Sequence, residues 1–544
     1  MDIMKKILLL CIVISLCVAP GCQQNEIANN SSADIANNSS ADIESSEPNN
    51  SLFEPGQSEQ PSDSSESISQ SSDTSSSSSK STGTVSKTPN TGKKVDPKLL
   101  TGRVTNLNKR VVRININDAS IIDTTTAAGR ARVARDKELQ TKYNCTIQYV
   151  LQQNETGNNN EIAKSVLAGK PSVDIWVQNG WSEIIPHYRS GLVQDLDALK
   201  VFDWSEYSSN IELAQFGGKH YIVGDKLDAS GHGRNNTWMT YVMFYNQKLL
   251  DQYGITEDIT ELQNSGKWTW NKFIEIAKKF NQNVGDSNKE VRAIFEWNIM
   301  YDVILGSYNT DWVARDANGN YKFNAGSPKA QQAQNLYTSI ISQGAAVLTD
   351  DARGLGSAFF QGKAAFLIQN MYQMKWGILN QATQEVKDNW GMVEIPQLNP
   401  GVENMHVITA VGPGGYSIPV GIPKANEIAS FLNDWLYVEM DYATTKQSFI
   451  ESFINECLNE RNGDKVVATV SKLYDLCALE KDAKLYNGFT YLTTPGIGNW
   501  TVTEPQSWYY HANQIALGKE ALASVVTAKQ DYYDQILAKF TKPR

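Results

Sequence analysis

Histidine is scarce in this chain of 544 residues: His187, His220, His232, His406 and His511 are scattered, without metal-ligand spacing. No zinc centre of the usual kind is therefore expected. Basic charge is also short, with 49 Lys and Arg against 59 Asp and Glu and a net charge of −10. No segment after residue 100 concentrates cations as a phosphate-tracking surface would, so nucleic acid is not an expected partner. Signatures of catalysis are missing as well. No nucleophile elbow, HExxH motif, P-loop or Ser/His/Asp order occurs, and neither an enzyme nor a cofactor is expected. The sequence leaves open a glycosidase-type carboxylate pair, which any fold can assemble from distant positions. The polar segment Asp316–Asn320 has its glycine in the wrong place for a calcium loop and no Glu at the twelfth position, so a hairpin turn at Asn318-Gly319 is expected. From Gln23 to Lys98 there is neither Trp nor Tyr.

That aromatic-free tract is rich in Ser, Asn, Asp, Glu, Gln and Pro, and it repeats IANNSSAD at Ile27–Asp34 and Ile35–Asp42. Such a composition buries too little apolar surface to offset the entropy of ordering, so a disordered tether is expected. A flexible coil of about 76 residues would reach roughly 45–50 Å. Ahead of it, Lys5 and Lys6 precede the apolar stretch Ile7–Val18. Twelve residues span about 18 Å as a helix, short of a bilayer core of about 30 Å, which favours a signal peptide over a membrane span. The stretch closes on Ala19-Pro20-Gly21-Cys22, which resembles the lipobox of bacterial lipoproteins. Gly21 and Cys22 fit that pattern, while Ala19 and Pro20 depart from its usual residues. The resemblance implies cleavage after residue 21 and lipidation of Cys22, with two acyl chains giving stable retention on the outer face of the cell membrane. Cys145, Cys457 and Cys477 would then remain in the mature body, either as buried thiols or with Cys457 and Cys477 bridged.

Beyond residue 105 the pattern is of α/β type. Val111–Ile116 alternates as a strand, Arg130–Tyr143 reads as helix and Cys145–Leu151 as strand. Glu161–Ala168 follows as helix, Asp174–Val177 as buried strand and Trp181–Ser190 as helix. Strand–helix alternation implies a largely parallel sheet flanked by helices, with ligands at the carboxyl ends of its strands. Tyr241–Tyr245 reads as another strand. Thr269 is placed to cap an amphipathic helix whose Phe273, Ile276, Ala277 and Phe280 share one face. Further helices are expected near Ser327–Ser342, Lys424–Tyr442 and Gln506–Ala516.

Several ordered blocks carry a wider resemblance: Ser165–Ile175 (SVLAGKPSVDI), Tyr188–Leu196 (YRSGLVQDL), Met243–Leu250 (MFYNQKLL) running to Gly266–Trp270 (GKWTW), Phe359–Phe366 (FFQGKAAF) and Gly412–Pro419 (GPGGYSIP). Together they resemble family 1 extracellular solute-binding proteins, which include maltodextrin- and other oligosaccharide-binding proteins. The resemblance implies a two-lobed, periplasmic-binding-protein-like α/β fold with hinge crossovers. Lobe 1 would hold residues 105–237 and 412–455, and lobe 2 residues 238–411 and 456–544. Crossovers would lie near Asn236–Tyr241, Val411–Tyr416 and Glu456. It also implies a monomer that captures an oligosaccharide and delivers it to an ABC permease. A cell-surface carbohydrate binder or sensor without transport, and a binder of peptides or polyamines, stay open beside it.

Sugar rings present apolar faces bordered by hydroxyls, so their sites need flat aromatic surfaces and side chains that form paired hydrogen bonds. Thirteen Trp and 23 Tyr are present. Trp181, Trp238, Trp297, Tyr372 and Trp508 fall beside strand ends, at a crossover or at a late helix start, and are the expected stacking rings. Packing is the alternative for each of them, and for Trp268 and Trp270 it is the preferred reading. Glu296, Asn179, Asn298 and Asn370 are the expected polar contacts, with Gln178 and Asp228 close by. No metal ligand is expected among them.

Overall fold

Residues 110–116 alternate as the sequence suggests, and they build the first strand of a computed structural model. The structure describes residues 106–541 except 118, 152–156, 180, 208–214, 225–239, 284–290, 317–319, 351–352, 402–405, 410–413, 439–441, 455–456, 458–460, 479–483 and 488–504. The framing strands are β1 (Arg110–Ile116), β2 (Cys145–Leu151), β3 (Trp176–Gln178), β4 (Tyr241–Asn246), β5 (Phe295–Glu296), β6 (Val347–Leu348), β7 (Phe366–Asn370), β8 (Trp390–Val393) and β9 (Gly415–Ser417).

These strands form two sheets, one for each lobe. In the first, β1 pairs in parallel with β2 from Arg110–Cys145 to Ile116–Leu151. On its other side β1 meets the approach to β3 through the parallel Ile114–Ile175 bridge, and β9 closes on β3 antiparallel. Asp174 locks this junction: its carboxylate accepts from Arg110 Nη2 at 2.5 Å and from the Arg113 backbone N–H at 2.8 Å. Gly415 lies against Val223, whose carbonyl oxygen would sit 2.5 Å from any Cβ there. Only glycine allows the two backbones to come that close.

In the second lobe β4 is central, antiparallel to both β7 and β8. The segment entering β5 runs parallel to β7 through the Arg292–Ala364 bridge, and β6 is parallel to β5. Every residue of β4 is buried. Tyr241, Met243 and Tyr245 face one core, and Val242 and Phe244 the other. A strand apolar on both faces is what a sheet covered by helices on both sides requires.

The helices that matter here are α1 (Ala127–Tyr143), α2 (Trp181–Arg189), α3 (Trp270–Ala277), α4 (Ile299–Ser307), α5 (Pro328–Ser342), α6 (Met371–Asn380), α7 (Ala425–Trp435), α8 (Tyr442–Ile454), α9 (Gly463–Ala478), α10 (Trp508–Ala516) and α11 (Leu522–Thr541). Their starts follow capping chemistry. Thr126 accepts from Gly129 N at 3.0 Å and Thr269 from Lys272 N at 3.2 Å. Trp268 and Trp270 are core residues, each 1% exposed.

One expectation is corrected here. A single helix over Lys424–Tyr442 does not hold, because the first helix ends at Trp435 and a separate one, α8, begins at Tyr442. Phe449, Ile450 and Phe453 then pack in the second lobe's core with Val242, Phe244 and Trp390. Glu456, where the third crossover is expected, lies outside the described residues. Much of the other two expected crossovers, the tether and Cys22 also lie outside them.

Candidate functional site

Parallel strands that share a direction deliver their carboxyl ends to the same side. In the first lobe the ends of β1 and β3 bring Asn117, Gln178 and Asn179 together. Asn117 and Asn179 form a reciprocal amide pair: Asn117 Nδ2 donates to Asn179 Oδ1, and Asn179 Nδ2 donates to Asn117 Oδ1 at 3.2 Å. Glu183, in the first turn of α2, accepts from the Asn179 backbone N–H at 2.8 Å and from Asn179 Nδ2 at 3.1 Å. The expected ligand contact Asn179 is thus tied into its own loop. Asn117 and Glu183, which hold it there, were not singled out by the sequence.

Gln178 is 1% exposed. Its Oε1 lies 2.8 Å from Nδ1 of His187, whose ring packs 4.0 Å from that of Trp176. An oxygen facing Nδ1 requires that nitrogen to carry the hydrogen of a neutral imidazole. Burial supports the assignment by pushing His187 down to about 3. With Oε1 engaged, the Gln178 Nε2 is left buried without a partner among the described residues. Trp181 heads α2, but its side chain lies outside the described residues, as do Trp238 and Asp228 entirely.

The second lobe's parallel ends carry Glu296-Trp297-Asn298 after β5 and Asn370-Met371-Tyr372 after β7. Glu296 is fully buried. Its Oε1 accepts from the Met300 backbone N–H at 2.7 Å, and its carboxyl also accepts from the Trp297 backbone N–H. Burial outweighs both bonds and pushes the carboxyl up to about 8. Trp297 is half-buried, and its carbonyl receives Asn513 Nδ2 of α10 at 3.4 Å. Asn298 is 1% exposed, and neither Oδ1 nor Nδ2 has a partner among the described residues. Asn370 caps α6 by accepting from Gln373 N at 2.8 Å. Tyr372, two residues on, is 52% exposed, a large ring with little packing to justify it.

Trp508 departs from expectation. It opens α10 with no exposure at all, donating Nε1–H to Tyr301 Oη at 3.1 Å. Its ring meets Phe323 and Tyr533 edge-on, at 4.9 and 6.2 Å. Beside it, Tyr509 donates to Asp302 at 3.0 Å and Tyr337 to Asn513 at 2.8 Å. This is core architecture under the strand ends, so Trp508 presents no stacking face.

The described strand ends thus offer two buried amides with unused hydrogen-bonding capacity, Gln178 and Asn298, and an exposed ring at Tyr372. A family model described as bacterial extracellular solute-binding protein matches residues 123–445. No curated protein matches. Among solved structures, a periplasmic oligogalacturonide-binding protein from Yersinia enterocolitica superposes with TM-score 0.51 at 12% identity, covering 79% of this chain and 100% of that one. A sugar transporter protein from Rhizobium etli in an open conformation gives 0.49 at 14%, covering 79% and 98%. The sugar-binding protein of Xanthomonas citri gives 0.48 at 15%, with the same coverage.

Proposed function

Since this chain belongs to the bacterial extracellular solute-binding protein family, we propose that it captures an oligosaccharide between its lobes and hands it to an ABC permease, without chemical turnover. The observation that carries the proposal is the pair of strand-end clusters, one per lobe, each holding a buried amide with spare hydrogen-bonding capacity. Amides and an exposed tyrosine ring match the alternating hydroxyls and apolar faces of a sugar chain. Binding would proceed on one lobe first, with closure about the chain passages bringing the second cluster onto the ligand.

The remaining parts of the reading rest on the sequence. Cys22 would carry the lipid, residues 22–104 would tether the body to the outer face of the membrane, and the protein would act as a monomer. Trp181 and Trp238 would add stacking rings beside Tyr372 and Trp297. Isothermal titration of maltotriose, chitotriose and trigalacturonate tests the cargo. Saturable binding of one of them with the sugar recovered intact is the predicted result. Binding confined to peptides or polyamines, or hydrolysis of the sugar, would contradict the proposal.

A further inference from the structure

Asparagine at a helix N-cap ordinarily uses its side-chain oxygen on the N–H two or three residues ahead. Asn370 does so for α6, and Asn246 does the same toward Leu249 N at 3.2 Å. Asn298 occupies the same position at α4 and makes no such bond. Of the two donors such a cap can take, the Met300 and Tyr301 N–H groups, the nearer one, Met300, is already bonded to Glu296 Oε1 at 2.7 Å. Asn298 also departs from the extended conformation of the other two caps, with φ −152° and ψ −9°. Its amide is left buried with both polar atoms unpartnered among the described residues. Leaving such a group unbonded destabilises the fold, so a buried amide in this state calls for a partner such as water or a ligand.

We propose that Glu296 caps α4 in place of Asn298, and so reserves the Asn298 amide for hydrogen bonds to the ligand. Glu296 is then a positioning residue rather than a contact: its carboxyl is committed to backbone donors. Asn298 offers two donors and an acceptor, a match for adjacent sugar hydroxyls, one accepting from Nδ2 and the other donating to Oδ1. The ligand half of this inference rests on the binding function proposed above; the exchange of caps does not. Because burial favours the uncharged carboxyl, glutamine should serve in place of Glu296, its amide oxygen accepting from Met300 in the same way.

The experiment uses the folded protein, first titrated with maltotriose, chitotriose, trigalacturonate, triglycine and spermidine to find the probe it captures. Asn298→Ala is expected to weaken capture of that probe at least tenfold, with the thermal midpoint unchanged or raised. Glu296→Gln should bind within about threefold of the parent, whereas Glu296→Ala should lose as much affinity as Asn298→Ala, because Asn298 is then free to return to the cap. Without any ligand, Asn298→Ala should lower the midpoint in the Glu296→Ala background and not in the parent. Unchanged affinity in Asn298→Ala, or equal midpoint losses in the two backgrounds, overturns the inference. Should Glu296→Ala fail to fold, Glu296→Gln and Asn298→Ala still decide the question: loss of affinity in the former with none in the latter also overturns it. A parent that captures none of the five probes overturns the proposed function and the ligand half with it, while the cap exchange stands or falls on the ligand-free midpoints.

Discussion

The two strand-end clusters hold their residues in different ways. In the first lobe most ties run from side chain to side chain, Asn117 to Asn179, Asn179 to Glu183 and Gln178 to His187, with Glu183 also accepting from the Asn179 backbone N–H. In the second lobe they run from side chain to backbone, Glu296 to Met300 and Asn370 to Gln373. A network of side chains fails together when one member is removed. Backbone anchors fail singly, since each donor belongs to its own helix. The first cluster is thus built to keep a loop rigid, and the second to present individual groups.

Beneath the second cluster lies the packing that supports it, and the largest effect is expected there. Trp508→Ala should cost about 3–5 kcal/mol in urea unfolding, as a buried aromatic truncation does. A near-neutral result would return Trp508 to the set of surface rings. The Glu296 carboxyl should give the next effect, visible against pH. Its ordinary value is 4.5 and its folded value about 8, so between these the folded state holds a proton the unfolded state has released. Stability from this group is complete below about 4.5 and is lost as pH rises toward 8, on the order of 1 kcal/mol per pH unit. Glu296→Gln should remove that slope in unfolding free energy measured across the window. An identical slope in both proteins would place the titration elsewhere.

The contrast between networks and single anchors is sharpened by a double-mutant cycle in the first lobe. Asn179→Ala and Glu183→Ala should be non-additive by about 0.5–3 kcal/mol in stability, while Asn370→Ala and Asn298→Ala in the second lobe should add. Additivity in both lobes would erase the distinction. The smallest structural effect is expected at Tyr372, where truncation to Ala should change stability by no more than about 0.5 kcal/mol. The same change should weaken binding by about 1–3 kcal/mol, read by titration. Unaltered affinity would show that the exposed ring serves something other than the ligand.

Much of the fold was legible because local periodicity and burial agree. Arg110–Ile116, Cys145–Leu151 and Tyr241–Asn246 are strands whose alternation or apolar run matches their surroundings, and Thr269 caps its helix as its position suggests. The break between α7 and α8 was not legible, since the apolar pattern runs on through a turn that only tertiary packing imposes. Trp508 was misread for a related reason. Its burial depends on Phe323 and Tyr533, brought near by the fold and not by the sequence around it. The Glu296-Trp297-Asn298 triplet stood out as polar and aromatic residues after a strand. Which of its members caps the helix is settled by a single 2.7 Å bond that spacing alone does not reveal. Asn117 and His187 gave no signal, being single polar residues without a motif.

In the proposed function Gln178 in one lobe and Asn298 in the other address the same molecule. Side-chain amide signals of both residues, assigned with Gln178→Glu and Asn298→Asp, can be followed by NMR while the captured trisaccharide is added. Both signals are expected to shift along one binding curve with a single dissociation constant. Movement of one amide while the other stays fixed at saturation would contradict it.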